Sequence, residues 1–219
     1  MKGLLEKHFA SHYHSTKQVE VESRLEKGGF CCCDQKACTE CGKSFPHIET
    51  DCNHVVLSCE TGDKETEVLE LEAFLNNFNG LKALPSGQKC DLLIEGENVV
   101  VFCDMTCSKA KYIAPFVMKD GTEKIGKRNS VKRQIENTIS VLMDVPEIAA
   151  AISMKNKRIA LFAYREKPED DRDDFDKGVF KQMSSFNAID ICSFEESMYT
   201  DMNHGFLFTE VKNPNVFVL

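Results

Sequence analysis

Apolar positions along this chain follow two rhythms. Leu92-Leu93-Ile94 and Val99-Val100-Val101-Phe102 are unbroken runs of strand length, rich in β-branched residues. Glu95-Gly96-Glu97-Asn98 between them is turn chemistry, with Gly96 free to take a positive φ. The stretch reads as a hairpin. Alternation along its second strand puts Val100, Phe102, Asp104 and Thr106 on one face. Val99, Val101, Cys103, Met105 and Cys107 fall on the other. Elsewhere the spacing is helical. Leu5, Phe9 and Tyr13 recur at i, i+4 and i+8. Val68, Leu71, Leu75 and Phe78 predict a helix from Glu65 to Asn79, with Asp63 as its cap and Asn79-Gly80 as its stop. Val131, Ile135, Ile139 and Leu142 predict another, capped by Asn129 or Ser130 and broken at Asp144-Val145-Pro146. Pro146 suits the first turn of a short helix through Ile152.

Lys157 to Arg165 then reads as a buried strand, and the helix before it supplies the crossover that a parallel pair needs. Gln18 to Glu22 alternates like an edge strand. Tyr112 to Val117 reads as a third strand, with Pro115 marking an edge or an irregularity. Ala188 to Cys192, Gly205 to Glu210 and Val216 to Leu219 are three closing strand-like runs. The pattern therefore predicts an α/β domain, a central mixed β-sheet flanked by helices. A Cys-rich N-terminal segment, residues 1–62, precedes the α/β domain of residues 63–219.

Composition bounds this picture. The chain has 219 residues, 42% of them hydrophobic, enough for one core. Its formal net charge of −8 excludes a surface coated for non-specific nucleic-acid binding but not a local basic groove. Met1 to His8 lacks the apolar segment of an export signal, and no run approaches a membrane span. Together with eleven cysteines this predicts reduced thiols and a cytoplasmic protein with no membrane contact.

Charge is unevenly placed. Lys109, Lys111, Lys119, Lys124, Lys127, Arg128, Lys132 and Arg133 are opposed only by Asp120 and Glu123, a local excess of six in an acidic chain. Glu166 to Asp176 holds seven acids and reads as an exposed loop leading into a helix from Phe175 to Met183. If the hairpin pairs, Asp91 and Asp104 sit at its open end. Two carboxylates there suit Mg²⁺ or Mn²⁺, which take oxygen ligands and often only one or two from protein. Strand-end acids that merely bound the strands fit the same spacing. A basic stripe beside two acids is what a metal-dependent phosphodiesterase requires: the cations hold the phosphate backbone and the metal activates water. Nucleic acid is the partner this implies. A solvated lysine-rich loop is the plainer alternative.

At these residues the chain resembles the PD-(D/E)XK nuclease superfamily, with its restriction-endonuclease-like fold, over roughly residues 65–165. That family places an Asp at the start of one hairpin strand and acid-x-Lys at the end of the next. Asp91 matches the first Asp, with Cys90 where Pro is usual, and Asp104 matches the second acid. Thr106 stands where the lysine belongs. The family tolerates a displaced lysine, which makes Lys109, Lys111 and Lys132 candidates. The resemblance implies nucleic-acid phosphodiester hydrolysis, with Asp91 and Asp104 as metal ligands and Lys132 or Lys109 stabilising developing charge. It also implies a third carboxylate from the preceding helix, Glu67 or Glu70. Lys132 and Gln134 would be carried into the site by the following helix, with Lys124, Lys127, Arg128 and Arg133 on the nucleic acid. The departure at Thr106 implies the alternative, an inactive nuclease-like binding or assembly module.

The cysteine cluster adds a second chemistry. Cys38-x-x-Cys41-Gly42 is a knuckle-like turn, and Zn²⁺ needs four S or N ligands in a closed site. Two of Cys33, Cys52, His54 and Cys59 would complete it. Cys33-x₄-Cys38-x₂-Cys41 also has an iron–sulfur spacing, which some nucleases of the resembled superfamily use. Small buried thiols are the alternative. His8 and His12 stand i, i+4 with no third ligand type beside them, and His204 has no Ser or Asp constellation to join.

Overall fold

The computed structural model describes residues 1–33, 55–78, 89–167, 191–192 and 200–219. Its scaffold is a nine-stranded mixed sheet in the order β8-β11-β2-β3-β4-β7-β10-β9, with β1 paired to β2. The strands are β1 (Ser23–Cys33), β2 (Val55–Glu70), β3 (Leu92–Glu95), β4 (Val99–Lys109), β7 (Lys157–Lys167), β8 (Ile191–Cys192), β9 (Thr200–Asp201), β10 (Leu207–Lys212) and β11 (Val216–Val218). β5 (Phe116–Val117) and β6 (Glu123–Lys124) form a separate small hairpin. The helices are α1 (Lys2–Leu4), running through a π-turn into α2 (Ala10–His12), then α3 (Leu71–Asn76), α4 (Gly126–Met143) and α5 (Pro146–Ser153).

β2, β3 and β4 are an antiparallel meander, and α4 and α5 carry the chain across to β7, parallel to β4. β10 adds parallel to β7. The hairpin faces fall as alternation requires. Val100 and Phe102 pack in one core with Leu5, Phe9, Ile135, Ile139, Leu142 and Phe162, beneath the helices. Val101, Cys103 and Met105 pack in a second core, with Phe30, Cys59, Leu161 and Phe217. No described helix contributes to that second core. The sheet closes it by curling: the long β2 pairs with β11 through Ser58 to Glu60 and with β3 through Glu67 to Glu70, and it approaches β10 although β3, β4 and β7 lie between. The corner is a register shift between Lys27 and Gly29, where the Thr61 hydroxyl bonds both the Gly28 N–H and its carbonyl.

Local expectations are corrected at several points. Residues 65–70 are strand, and the helix is only Leu71–Asn76. Val68 lies in the second core while Leu71, Leu75 and Phe78 lie in the first, so pairing of Glu67 to Glu70 with β3 overrides the helical spacing. Asp63 is an exposed β2 residue and caps nothing. Gln18 to Glu22 is not a strand; Val21 is buried there with its N–H on Glu6. Residues 112–117 give a 3₁₀ turn and the two-residue β5, in the small hairpin and not in the main sheet. The helix expected at Asn129 or Ser130 begins at Gly126. Gly96 is not at positive φ; its need is space, because a Cβ would lie 2.9 Å from the Val99 side chain. The boundary drawn between residues 62 and 63 falls inside β2. The loop and helix expected within 168–183 lie outside the described residues.

Candidate active site

β4, β7 and β10 are mutually parallel, so their carboxyl ends lie together, the place where open α/β sheets bind ligands. Cross-strand register makes two rows there. Asp104, Phe162 and Glu210 form one, and Thr106, Tyr164 and Lys212 the next. All six belong to the helix-covered face by alternation with Phe102, Ala160 and Phe208. Asp104 and Glu210 are two strand spacings apart, about 10 Å. The Asp104 side is buried and the Glu210 side half-buried.

Asp91 joins this end from β3. It precedes Leu92, which pairs with Cys103, and its Oδ2 accepts the Met105 N–H at 2.6 Å. Its carbonyl accepts the Leu71 and Glu72 N–H groups at 2.9 and 3.1 Å and so caps α3. The loop, the hairpin and α3 are therefore fixed around one residue. Cys90, next to Asp91 in the chain, is fully buried. Its thiol is pushed well up, first by burial and then by the Asp104 and Asp91 charges. Its N–H bonds the Thr138 hydroxyl at 3.0 Å, and that hydroxyl bonds the Gln134 carbonyl at 2.9 Å. A turn of α4 is thereby pinned above the two aspartates.

The basic residues divide by position on α4 and the small hairpin. Lys132 places its ammonium over the Phe208 ring, 5.6 Å from the centroid. Arg128 holds Glu210 through two nitrogens, Nη2 at 3.0 Å from Oε2 and Nε on Oε1. That bond and the neighbouring charge raise the guanidinium further above its ordinary value, against the opposing effect of burial. An incoming anion would meet Arg128 already neutralised by a carboxylate. Lys109 ends β4 opposite Lys167. Lys124, Lys127 and Arg133 are exposed, and Gln134 is half-buried on α4.

Of the third-carboxylate candidates, Glu67 does not reach this end. It pairs with Glu95 at the far end of β3 and lies 3.7 Å from the Met1 ammonium. Glu70 is buried beside Leu92, next to Asp91, but alternation from Val68 assigns it to the opposite face. Among the described residues, no three Asp, Glu, His or Cys side chains converge as a ready-made metal centre. The donor set of Asp91 and Asp104 is hard oxygen, and two carboxylates fit an ion that keeps most of its water.

Sequence reasoning passed over Lys89, Thr138, Tyr164 and Glu210. Lys89 is buried, with its Nζ donating to Asn76 at 2.8 Å; burial lowers its ammonium below the ordinary value and Glu72 opposes this. Its position two residues before Asp91 was the one signal available.

Cys33 is buried with Cys31 and Val55 at the end of β1, while Cys59 points into the second core. Burial, then Cys31, pushes the Cys59 thiol far above its ordinary value. Cys38, Cys41, Cys52 and His54 lie outside the described residues. His8 bonds Glu147 at 3.3 Å, and His12 and His204 are exposed.

Compared with protein-family models, curated proteins and solved structures, the chain matches none. No described helix is long and apolar enough to cross a membrane.

Proposed function

We propose that the chain is a metal-dependent nuclease of restriction-endonuclease-like design. The observation that carries this reading is the Asp91 carboxylate taking the Met105 N–H, next in the chain to buried Asp104, at the carboxyl end of β4. The β3–β4 hairpin followed by a helical crossover to β7 is the order expected from the sequence. Asp91 and Asp104 would hold Mg²⁺ or Mn²⁺, which would supply Lewis acidity and an activated water when bound. The chain's own residues orient and exclude. Thr138 fixes α4 over Cys90, buried Phe162 and Phe208 wall the site, and Lys132 stands above Phe208, within reach of a phosphate entering over β10. Lys89 and Lys109 are the other cations from which developing charge can be stabilised. A structural zinc would take Cys38, Cys41 and two of Cys33, Cys52, His54 and Cys59, the ligand types the sequence supplies.

One observation favours the second reading, an inactive binding or assembly module. Thr106 occupies the lysine position, is nearly fully buried, and has Tyr164 beside it in the row, so the register offers no opening for a lysine there.

The test is cleavage of plasmid, single-stranded DNA and RNA in Mn²⁺, Mg²⁺ or EDTA by the parent, Asp91→Asn and Asp104→Asn. Asn keeps an acceptor for the Met105 N–H, so the fold is retained and only the charge is lost. The expected result is metal-dependent cutting, reduced about a hundredfold or more in each variant. Equal cutting by all three, or none by any, leaves the binding-module reading.

A further inference from the structure

The segment that leaves β4 carries a feature that hydrolysis does not use. A 3₁₀ turn (Ala110–Tyr112) leads to the β5–β6 hairpin, and a cavity of about 520 Å³ lies between them. Tyr112, Phe116, Val117 and Met118 line it, with Lys111 and Lys119 at its ends. Its surface is apolar and open: Val117 is 65% exposed and Met118 45%, and Ile125 adjoins them at 43%. The Tyr112 and Phe116 rings are 4.8 Å apart, and the Lys111 ammonium stands 5.2 Å over Tyr112. The root is firm. Ile113 plugs the helix-side core, Arg128 N–H bonds the Ile113 carbonyl, and Gly126 takes a φ of +75° against Ala114.

We propose that this cavity is a stacking platform for single-stranded nucleic acid, which gives the substrate class of the site proposed above and rests on that reading. A single strand alternates flat apolar bases with phosphates. Here a ring pair and an apolar floor lie among lysines: Lys111 and Lys119 line the cavity, Lys124 pairs with Phe116 across the small hairpin, and Lys109 ends β4 just before the turn. A duplex keeps its base faces stacked inside and cannot use the rings. A membrane is a poorer fit: the apolar surface is a hollow, and Asp120 on its wall and Glu123 on β6 would be pressed against anionic headgroups.

The chain has no tryptophan, so Tyr112→Trp gives one reporter at the platform. Its emission is read in EDTA during titration with poly-dT and poly-U 12-mers, a mixed-sequence duplex, and phosphatidylserine vesicles. The platform predicts quenching by single strands alone. In the parent background, Tyr112→Ala weakens single-strand binding by about tenfold, and Lys111→Ala/Lys119→Ala steepens that loss at low salt. Equal quenching by duplex, a response to vesicles alone, or no response to any probe overturns the proposal. Running the cleavage assay on the parent beside this titration separates the two ideas. Single-strand quenching by a protein that never cuts removes the nuclease and keeps the platform. Cutting of duplex without quenching does the reverse.

Discussion

Cys90 sits in a position where each neighbour limits what it can do. Burial, then the Asp104 and Asp91 charges, push its thiol up, so it serves as a small apolar residue of the helix-side core. The same holds for Cys32, Cys59 and Cys103, whose thiols are all pushed up, burial being the largest cause. Reactivity follows the thiolate. In native protein at pH 8, a bulky thiol reagent should therefore leave Cys32, Cys59, Cys90 and Cys103 unmodified while half-exposed Cys107 reacts, as peptide mass mapping would read. In urea all five should react. Fast native labelling of Cys59 would show it open to solvent, against its buried place in the second core. Residue-scale chemistry also explains what the sequence hid. Asp91 and Asp104 were legible because a hairpin is local. The Thr138 contact to Cys90 spans 48 residues and the Arg128 contact to Glu210 spans 82, and no local pattern announces either.

At the scale of elements, the hairpin, α4, α5 and β7 were legible from apolar rhythm alone, since each buries one face on a neighbour close in sequence. The stretch from Glu65 to Asn79 was not. Its apolar residues satisfy a helical and an alternating reading at once, and the arbiter is a cross-strand partner, Leu92 to Glu95, supplied from further along the chain. The start of α4 was misplaced for a related reason. Asn129 and Ser130 look like caps, but the turn is set three residues earlier by Gly126, whose positive φ lets the chain double back on Ala114. A Cβ at Gly126 would overlap the Ala114 carbonyl and come within 2.7 Å of the Ile113 oxygen. Gly126→Ala should destabilise the protein by about 1–3 kcal/mol, measured by urea unfolding, and should raise proteolysis within residues 110–126. An unchanged urea midpoint would mean that this junction is not held as described.

Across the whole molecule, the helices on one face and the curled β1–β2 arm on the other must close around the same four strands. The edge farthest from the aspartates is tied by charge. Glu95 ends β3; one of its oxygens lies 2.8 Å from the Lys155 Nζ and the other takes the Met1 ammonium. Lys155 also donates to the Gly96 carbonyl at 2.8 Å, while the Lys157 N–H bonds Asn98 at 3.0 Å. Hairpin turn, N-terminal helix and the start of β7 therefore converge on one carboxylate. Burial acts to raise the Glu95 pKa, but the bonds from Lys155 and the α-amino group outweigh it, and the group sits below its ordinary value of 4.5. A depressed carboxylate stabilises the fold fully above its unfolded pKa, and that stabilisation is lost as pH falls through the lower, folded value. The urea midpoint of the parent should thus drop as pH is taken from 6 to about 3.5. Glu95→Gln should be less stable at pH 6 and show a shallower drop, because it keeps the shape and loses the titrating charge. Parallel drops in the two proteins would place the acid sensitivity elsewhere. A variant as stable as the parent at pH 6 would mean that the sheet closes without this tie.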